Sequence, residues 1–422
     1  MLIKFSVENF RSIKEKVTLS MVSSSDKSLD NNLIETDVLK NDSLLRSAVI
    51  YGPNASGKSN VILAFGFLLN LVMTSHKNQK DTKIDVSPFK LDKEYLSKPS
   101  KFEVVFIKNE NRYVYGVSVT SEKIIDEYLY YYPKGRKAII FERSNTNDFK
   151  FTINIKVQEF LKKRTLDNVL YLSNSTQLNY NKSSEAFDWF KDNLRIINVE
   201  EHPLLTEFTI NLLNKDEKSK ELILKALLIT DLGIEDIKAS VENVSIDNLP
   251  SAFPNELKVL ISEGKGEFKK FNIKTTHKGN KGKDTEFDVQ FEFDEESGGT
   301  QKMFFLIGPW IDVLSNGRIL VVDELDTRLH LKLIQFLIKL FHDPSQNKKN
   351  AQLIFTTHNT NLLDNNLFRR DQIWFTDKNP DIGSTELYSL VEFNARKKEN
   401  IQKGYQAGRF GALPFIKEER IF

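Results

Sequence analysis

The stretch RSAVIYGPNASGKS, Arg46 to Ser59, constrains the fold more than any other part of the chain. The short apolar run 46–51 stops at Gly52, and a helical apolar pattern runs from Ser59 to about Ser75. A bounded run of this kind reads as a buried parallel strand. Gly52–Ser59 matches G-x-x-x-x-G-K-[ST], with a strand before it and a helix after it. Gly52 and Gly57 let the backbone of Pro53, Asn54, Ala55 and Ser56 curl so that N–H groups point inward at phosphate oxygens. The helix start, with Asn60 in its first turn, adds a partial positive charge. Lys58 is placed to reach the β- and γ-phosphates and the Ser59 hydroxyl to sit on Mg²⁺, so the implied ligands are ATP and Mg²⁺.

Three later segments extend this reading. RILVVDE (318–324) is an apolar strand delivering Asp323 and Glu324 to a carboxyl edge, where open α/β sheets bind ligands. Asp323 is the metal-side acid and Glu324 the general base that polarises water. ESGGTQK (296–302) places Ser297, Gly298, Gly299 and Gln301 at a helix start, a second anion-binding nest. LIFTTH ends a strand at His358. Strands alternating with helices over 318–376 imply right-handed crossovers and a parallel sheet.

The remaining organisation follows from patterning. Residues 1–20 alternate as a hairpin turning at Arg11–Lys14. Residues 102–107 and 112–119 flank Asn109-Glu110-Asn111, and 123–132 and 137–143 continue the meander. Residues 153–230 read as mainly helical, and no stretch holds apolar a/d positions for three or four heptads. The division expected is an N-terminal ATPase lobe at 1–152, a helical insertion at 153–262 and a C-terminal ATPase lobe at 263–422. Residues 263–283 are basic and read as a loop, either solvated or contacting nucleic acid, leading into a half-buried strand with Phe287, Val289, Phe291 and Phe293 on one face.

Composition excludes other classes. Lys+Arg is 60 and Asp+Glu 58, so net charge gives no sign of an obligate polyanion partner. There is no cysteine, which removes disulfides, thiolate metal sites and a cysteine nucleophile, and fits the cytoplasm. The apolar run 61–73 falls short of the ~20 residues of a spanning helix, and no membrane role is expected.

The order of P-loop, SGG-x-Q, Asp-Glu and strand-terminal His resembles the ATP-binding-cassette ATPases. That resemblance implies that Ser297, Gly298 and Gly299 bind the γ-phosphate held by a second subunit, and that His358 is a switch residue on the γ-phosphate. It also implies that Asp326 crosses the dimer interface. Glu296 and Thr300 depart from the usual signature. Arg11 in NFRSI resembles the N-terminal arginine of the RecF and SMC branch. The metal-side glutamine is assigned to Gln177 in YLSNSTQLN, with Gln79 as the other choice. NFRSI, GPNASGKSN, SPFKLD, YLSNSTQLN, ESGGTQK, DELDTRLH and GYQAGRFGALPFI together resemble the AbiL/RloA-like ATP-binding proteins, relatives of RecF. The resemblance implies an anti-phage defence or abortive-infection ATPase, a head-to-tail homodimer or an assembly of dimers, and a separately encoded effector such as a Toprim or RloB-like nuclease. With 64 residues after His358, no Toprim domain is expected in the chain itself. The rival is a RecF-like DNA-repair ATPase clamping DNA, favoured by the basic segment 263–283 and by seven basic against three acidic residues in 395–422. The 240 residues between Lys58 and Gly298 argue against a transporter ATPase.

Overall fold

The computed structural model describes residues 1–198, 202–230, 233–244, 268–280, 286–393 and 400–413. The chain groups into two compact units, Met1–Val199 with Val313–Asp326 and Ile334–Phe422, and Glu200–Asp312 with Thr327–Leu333. Neither boundary falls at residue 152 or 262.

The first unit contains two sheets. A six-stranded sheet runs in the order Leu194–Asn198, Ile319–Asp323, Gln352–Thr356, Ser47–Tyr51, Ile373–Lys378 and Thr385–Ser389. Its first five strands are parallel and the last pairs antiparallel with Ile373–Lys378. A seven-stranded antiparallel sheet holds the N-terminal hairpin (Leu2–Glu8, Val17–Ser20) and the meander from Ser100 to Lys150. The Asn109-Glu110 turn has both residues at positive φ, the conformation of a type I′ hairpin.

The helix Lys58–Thr74 lies in the core that both sheets share. Val61, Ile62, Ala64, Phe65, Leu68, Leu71 and Val72 are buried on it. Phe65 stacks on Phe5 of the antiparallel sheet, and the same apolar cluster includes Ile50, Val321 and Ile354 of the parallel one. With its extension to Lys77 this helix is long and apolar enough to cross a membrane. Packing against two sheets is a sufficient cause of that composition. Gln352, fully buried, stitches the sheets: it accepts from the Leu2 N–H at 2.6 Å and donates to the Leu2 and Leu45 carbonyls.

One chain of buried polar groups beside the parallel sheet is linked end to end. Asn32 donates to Gln372 (2.7 Å), Gln372 to the Ser47 hydroxyl (2.8 Å), and that hydroxyl meets His342 Nε2 at 2.7 Å. Burial, aided by Arg46, pushes the His342 imidazole down to about 3. In the unfolded chain it takes a proton near 6.5. The folded pKa is the lower one, so this contribution is present above 6.5 and is lost as pH falls from there toward 3. The loss is on the order of 1.4 kcal/mol per pH unit. Thermal melts between pH 7 and 4 test it: His342→Gln, which can still pair with Ser47, should show a flatter decline than the parent.

Two expectations need correction. The stretch read as mainly helical contains a parallel strand, Leu194–Asn198, paired in register with Ile319–Asp323. LRIIN is short and lacks the apolar–polar alternation that would reveal a strand, with only Leu194 and Ile197 of residues 194–197 buried. The segment read as a basic loop is, over Phe268–Asn280, the central strand of a three-stranded sheet in the second unit. It pairs antiparallel with Ile234–Val244 and with Glu286–Glu292. The rest of 263–283 lies outside the described residues, as do 395–399 and 414–422 of the basic tail. Phe287 and Phe291 are 48% and 36% exposed, so the apolar face of the last strand is less covered than its pattern suggests.

The second unit also holds the helices His202–Leu213 and Glu217–Ile229 and the start of the helix Gly298–Asn316. The result is an α/β fold: a parallel-centred mixed sheet with flanking helices plus an antiparallel β subdomain. No long coiled coil occurs among the described residues.

Candidate functional site

The strand Ser47–Tyr51 ends at Gly52, and the loop returns the chain into a helix at Lys58. Gly57 has φ of 103°, and a Cβ there would lie 2.0 Å from Thr385 Oγ1. Only glycine fits this position. Asn54 and Ala55 form the exposed tip of the loop, and Ala55 sits at positive φ.

Side chains that the motif does not name hold the loop in shape. The Ser56 hydroxyl meets Thr376 Oγ1 at 2.7 Å, and Thr385 Oγ1 donates to the Ser56 carbonyl at 2.8 Å. Thr385 also contacts Ser12 Oγ (2.7 Å), which accepts from Asn60 Nδ2 (2.5 Å). Asn60 is thereby turned to the N-terminal hairpin. Its neighbour Arg11, exposed and at positive φ, lines a cavity of about 430 Å³ with Phe10, Leu63, Phe67 and Asn70.

Lys58 is 5% exposed and folds back into the loop, donating to the Gly52 carbonyl at 2.8 Å and the Pro53 carbonyl at 3.0 Å. Burial lowers it to about 8, against the opposing fields of Asp323, Glu324 and Asp326. An amine on weak carbonyl acceptors, in the field of three carboxylates, is poised to move onto a polyanion.

Asp323 and Glu324 stand at the end of Ile319–Asp323, separated from the phosphate-loop strand by Gln352–Thr356. Asp323 ends its strand and accepts from Thr356 Oγ1 at 2.5 Å, while the same hydroxyl accepts from the Glu324 N–H at 2.8 Å. Glu324 sits at φ of 51°, a conformation that costs a non-glycine residue energy and recurs at functional sites. His358 Nε2 lies 3.8 Å from Glu324 Oε1, and the His358 N–H donates to Asp326 Oδ2 at 3.3 Å. Burial and the Lys58 charge lower the His358 imidazole. The other Asp326 oxygen is buried without a hydrogen-bond partner. Lys58, Asp323, Glu324, Asp326 and His358 therefore share one electrostatic neighbourhood.

No cluster of three or more His, Cys, Asp or Glu able to hold a metal occurs among the described residues. The motifs offer two donors, the Ser59 hydroxyl and the Asp323 carboxylate, and so small a set would suit only an ion such as Mg²⁺ that keeps water and phosphate ligands. Gln177 is exposed at the end of the helix Tyr171–Gln177, and no hydrogen bond links it to Ser59 or Asp323.

The second unit carries the SGG segment. Ser297 Oγ accepts from the Thr300 N–H (3.1 Å) and contacts Thr300 Oγ1 (2.8 Å), acting as an N-cap. Gln301 Nε2 donates back to the Phe293 and Glu296 carbonyls, both at 3.0 Å. Glu296 is gripped by Thr275 Oγ1 and by His277 Nε2 at 2.6 Å. The two departures from the usual signature are thus structural ties: Thr300 fixes the serine, and Glu296 pins the turn to the three-stranded sheet. A Cβ on Gly298 would meet nothing within 4 Å, leaving the backbone there open to a ligand.

Sequence reasoning did not find Ser12, Thr356, Thr376 and Thr385. Thr356 was within reach, two residues before His358 in LIFTTH. The other three act across the fold.

A parallel sheet bearing a glycine-rich phosphate loop, with Asp-Glu and His at neighbouring strand ends, defines a P-loop nucleotide-binding fold of the AAA/ABC ATPase class. A family model named for its AAA domain and for the AbiEii toxin of type IV toxin–antitoxin systems matches residues 47–364, and the chain belongs to that family. Among solved structures, the SMC head domain from Thermotoga maritima is 14% identical, with 92% of this chain and 98% of that one covered and a TM-score of 0.40. The Smc head with an extended coiled coil bound to the C-terminal domain of ScpA, from Pyrococcus furiosus, is 13% identical (97% and 99% covered, TM-score 0.38). The recombination mediator protein RecF of the RecFOR pathway is 12% identical (92% and 98% covered, TM-score 0.37). No protein with a curated description matches the chain.

Proposed function

We propose that this protein is a cytoplasmic ATPase that binds and hydrolyses Mg²⁺-ATP at a head-to-tail homodimer interface. In this reading it serves as the sensor or regulator of an anti-phage defence system with a separately encoded effector, an AbiL/RloA-like arrangement with a Toprim or RloB-like nuclease. The carrying observation is the convergence of Lys58, Asp323, Glu324 and His358 on one glycine-rich loop. The defence assignment is supported by the toxin–antitoxin family to which the chain belongs.

Each residue has a definite task. Loop N–H groups and Lys58 bind phosphate oxygens. Ser59 and Asp323 would hold Mg²⁺, which when bound draws charge off the phosphates. Glu324, with its side chain 52% exposed, is free to orient a water and take its proton. His358, beside Glu324, is a hydrogen-bonding group for the terminal phosphate. From a second subunit, Ser297, Gly298 and Gly299 would close the site, and Asp326 would join them only on leaving the His358 N–H of its own chain. The γ-phosphate is then the group both subunits touch, so its removal opens the dimer.

The DNA-clamp reading gains no free basic face from the described strand Phe268–Asn280, where Lys269 pairs with Glu207, Lys274 with Glu292 and Lys278 with Asp288.

Light scattering on Glu324→Gln with and without Mg²⁺-ATP tests the proposal. Turnover should fall at least ~100-fold, and the molar mass should double with Mg²⁺-ATP. Adding Ser297→Arg should abolish the doubling. A variant that stays monomeric with nucleotide bound would overturn the dimer mechanism.

A further inference from the structure

The segment Ile401–Ala412 has no assigned role, yet it touches both halves of the nucleotide site in the first unit. On one side its helix, Ile401–Gln406, holds the loop that follows His358. Gln402 Nε2 donates to Asn361 Oδ1 at 2.8 Å, and Gln406 Nε2 reaches Thr360 Oγ1 at 3.4 Å. Residues four apart present one helix face, so both amides grip the same loop.

On the other side it is fastened to the strands that support the phosphate loop. Tyr405, 5% exposed, stacks on Phe375 at 5.4 Å and lies 6.1 Å from Tyr51, the residue before Gly52. Its hydroxyl donates to the Ala412 carbonyl at 2.7 Å, closing the segment on itself. The Ala412 N–H donates to Asp377 at 2.8 Å, and Tyr388 donates to the Phe410 carbonyl at 2.9 Å. Asp377 and Tyr388 belong to the strands that carry Thr376 and Thr385, which brace Ser56. Gly411 is at positive φ, where a Cβ would sit 2.8 Å from the Tyr388 hydroxyl, so the fit is close.

We propose that Ile401–Ala412 is a positioning clamp: it ties the His358 loop to the strands behind the phosphate loop, and so sets His358 against Glu324. Gln402 and Gln406 are its positioning residues. The clamp acts on turnover and not on nucleotide binding, because Lys58 and the loop N–H groups keep their own braces. This inference rests on the reading that Glu324 and His358 serve ATP hydrolysis.

The test uses the full chain and the double variant Gln402→Ala/Gln406→Ala. Both amides make their contacts at the surface, so the fold should survive their loss. Steady-state hydrolysis of Mg²⁺-ATP should fall about tenfold, since small displacements of catalytic groups cost one to two orders of magnitude. Affinity for fluorescent mant-ADP should stay within about twofold of the parent. Gln402→Lys with Asn361→Asp, which rebuilds the bridge as an ion pair, should recover most of the rate. A double variant turning over at the parental rate would sink the clamp. So would a parallel loss of affinity, rate and melting temperature, which marks a merely structural role. A parent chain that binds mant-ADP but never hydrolyses ATP would instead remove the ATPase reading, and the clamp with it.

Discussion

Replacing Lys58 by methionine should lower the affinity for Mg²⁺-ATP at least ~100-fold while leaving the melting temperature unchanged or slightly raised. A loss of that size is about 2.7 kcal/mol, the scale of a charge-assisted hydrogen bond made by a partly desolvated ammonium. The stability expectation follows from burial. Lys58 is 5% exposed and its charged form is disfavoured by desolvation, so a thioether of similar length removes that cost and keeps the packing, offsetting the two hydrogen bonds lost to the Gly52 and Pro53 carbonyls. A pH series separates this account from simple damage to the loop. The free protein holds Lys58 at about 8, and only the protonated amine binds phosphate well. Parental affinity should therefore be flat below that value and decline as pH rises through it, by up to about tenfold per unit. The Met variant should show no such decline. Titration calorimetry from pH 7.5 to 9.5 decides the matter; equal affinities for parent and variant would mean that Lys58 does not face the phosphates.

The parts of the site that the sequence displays are those where chemistry dictates a residue at a fixed offset. Gly57 is forced by a φ that other residues avoid, Lys58 and Ser59 follow it at the motif's fixed offset, and Asp323 ends an apolar strand with Glu324 next. The supporting shell follows no such rule. Thr376 and Thr385 brace Ser56 from more than 300 positions away, and a threonine within a strand is unremarkable until the strand order is known. The basic strand was hidden for another reason. Phe271, Ile273, Thr275 and His277 do alternate with Asn272, Lys274, Thr276 and Lys278, but lysine and glycine pull the composition toward a loop. Its pairing with acidic neighbours is a long-range fact. The same holds for Glu296 and Thr300, which look like departures from a signature until Thr275, His277 and Ser297 are seen to bind them.

Arg143→Met should destabilise the first unit by about 3–5 kcal/mol, the range for breaking a buried ion pair from one side. Arg143 and Glu127 are 2% and 0% exposed, with Nη1 3.8 Å from Oε2. Glu127 accepts from the N–H groups of Tyr171 and Leu172, at the start of the helix ending in Gln177, and from the Tyr115 hydroxyl. Arg143 donates to the carbonyls of Thr146, Leu166, Asp167 and Val169. Methionine would strand these acceptors and leave a buried carboxylate without its cation. Glu127→Gln should cost less, because Arg143 keeps its carbonyl partners. Burial, opposed by Arg143, raises the Glu127 carboxyl above 4.5. A raised folded pKa means that Glu127's contribution is fully present below 4.5 and is lost as pH rises through the folded value. Without Arg143 that value climbs further, so the deficit of Arg143→Met should be smaller at pH 5 than at pH 8. Denaturant titrations of both single variants and the double variant at the two pH values measure the deficit and its coupling. A deficit below ~1 kcal/mol that ignores pH would show that the antiparallel meander holds the helix by packing alone.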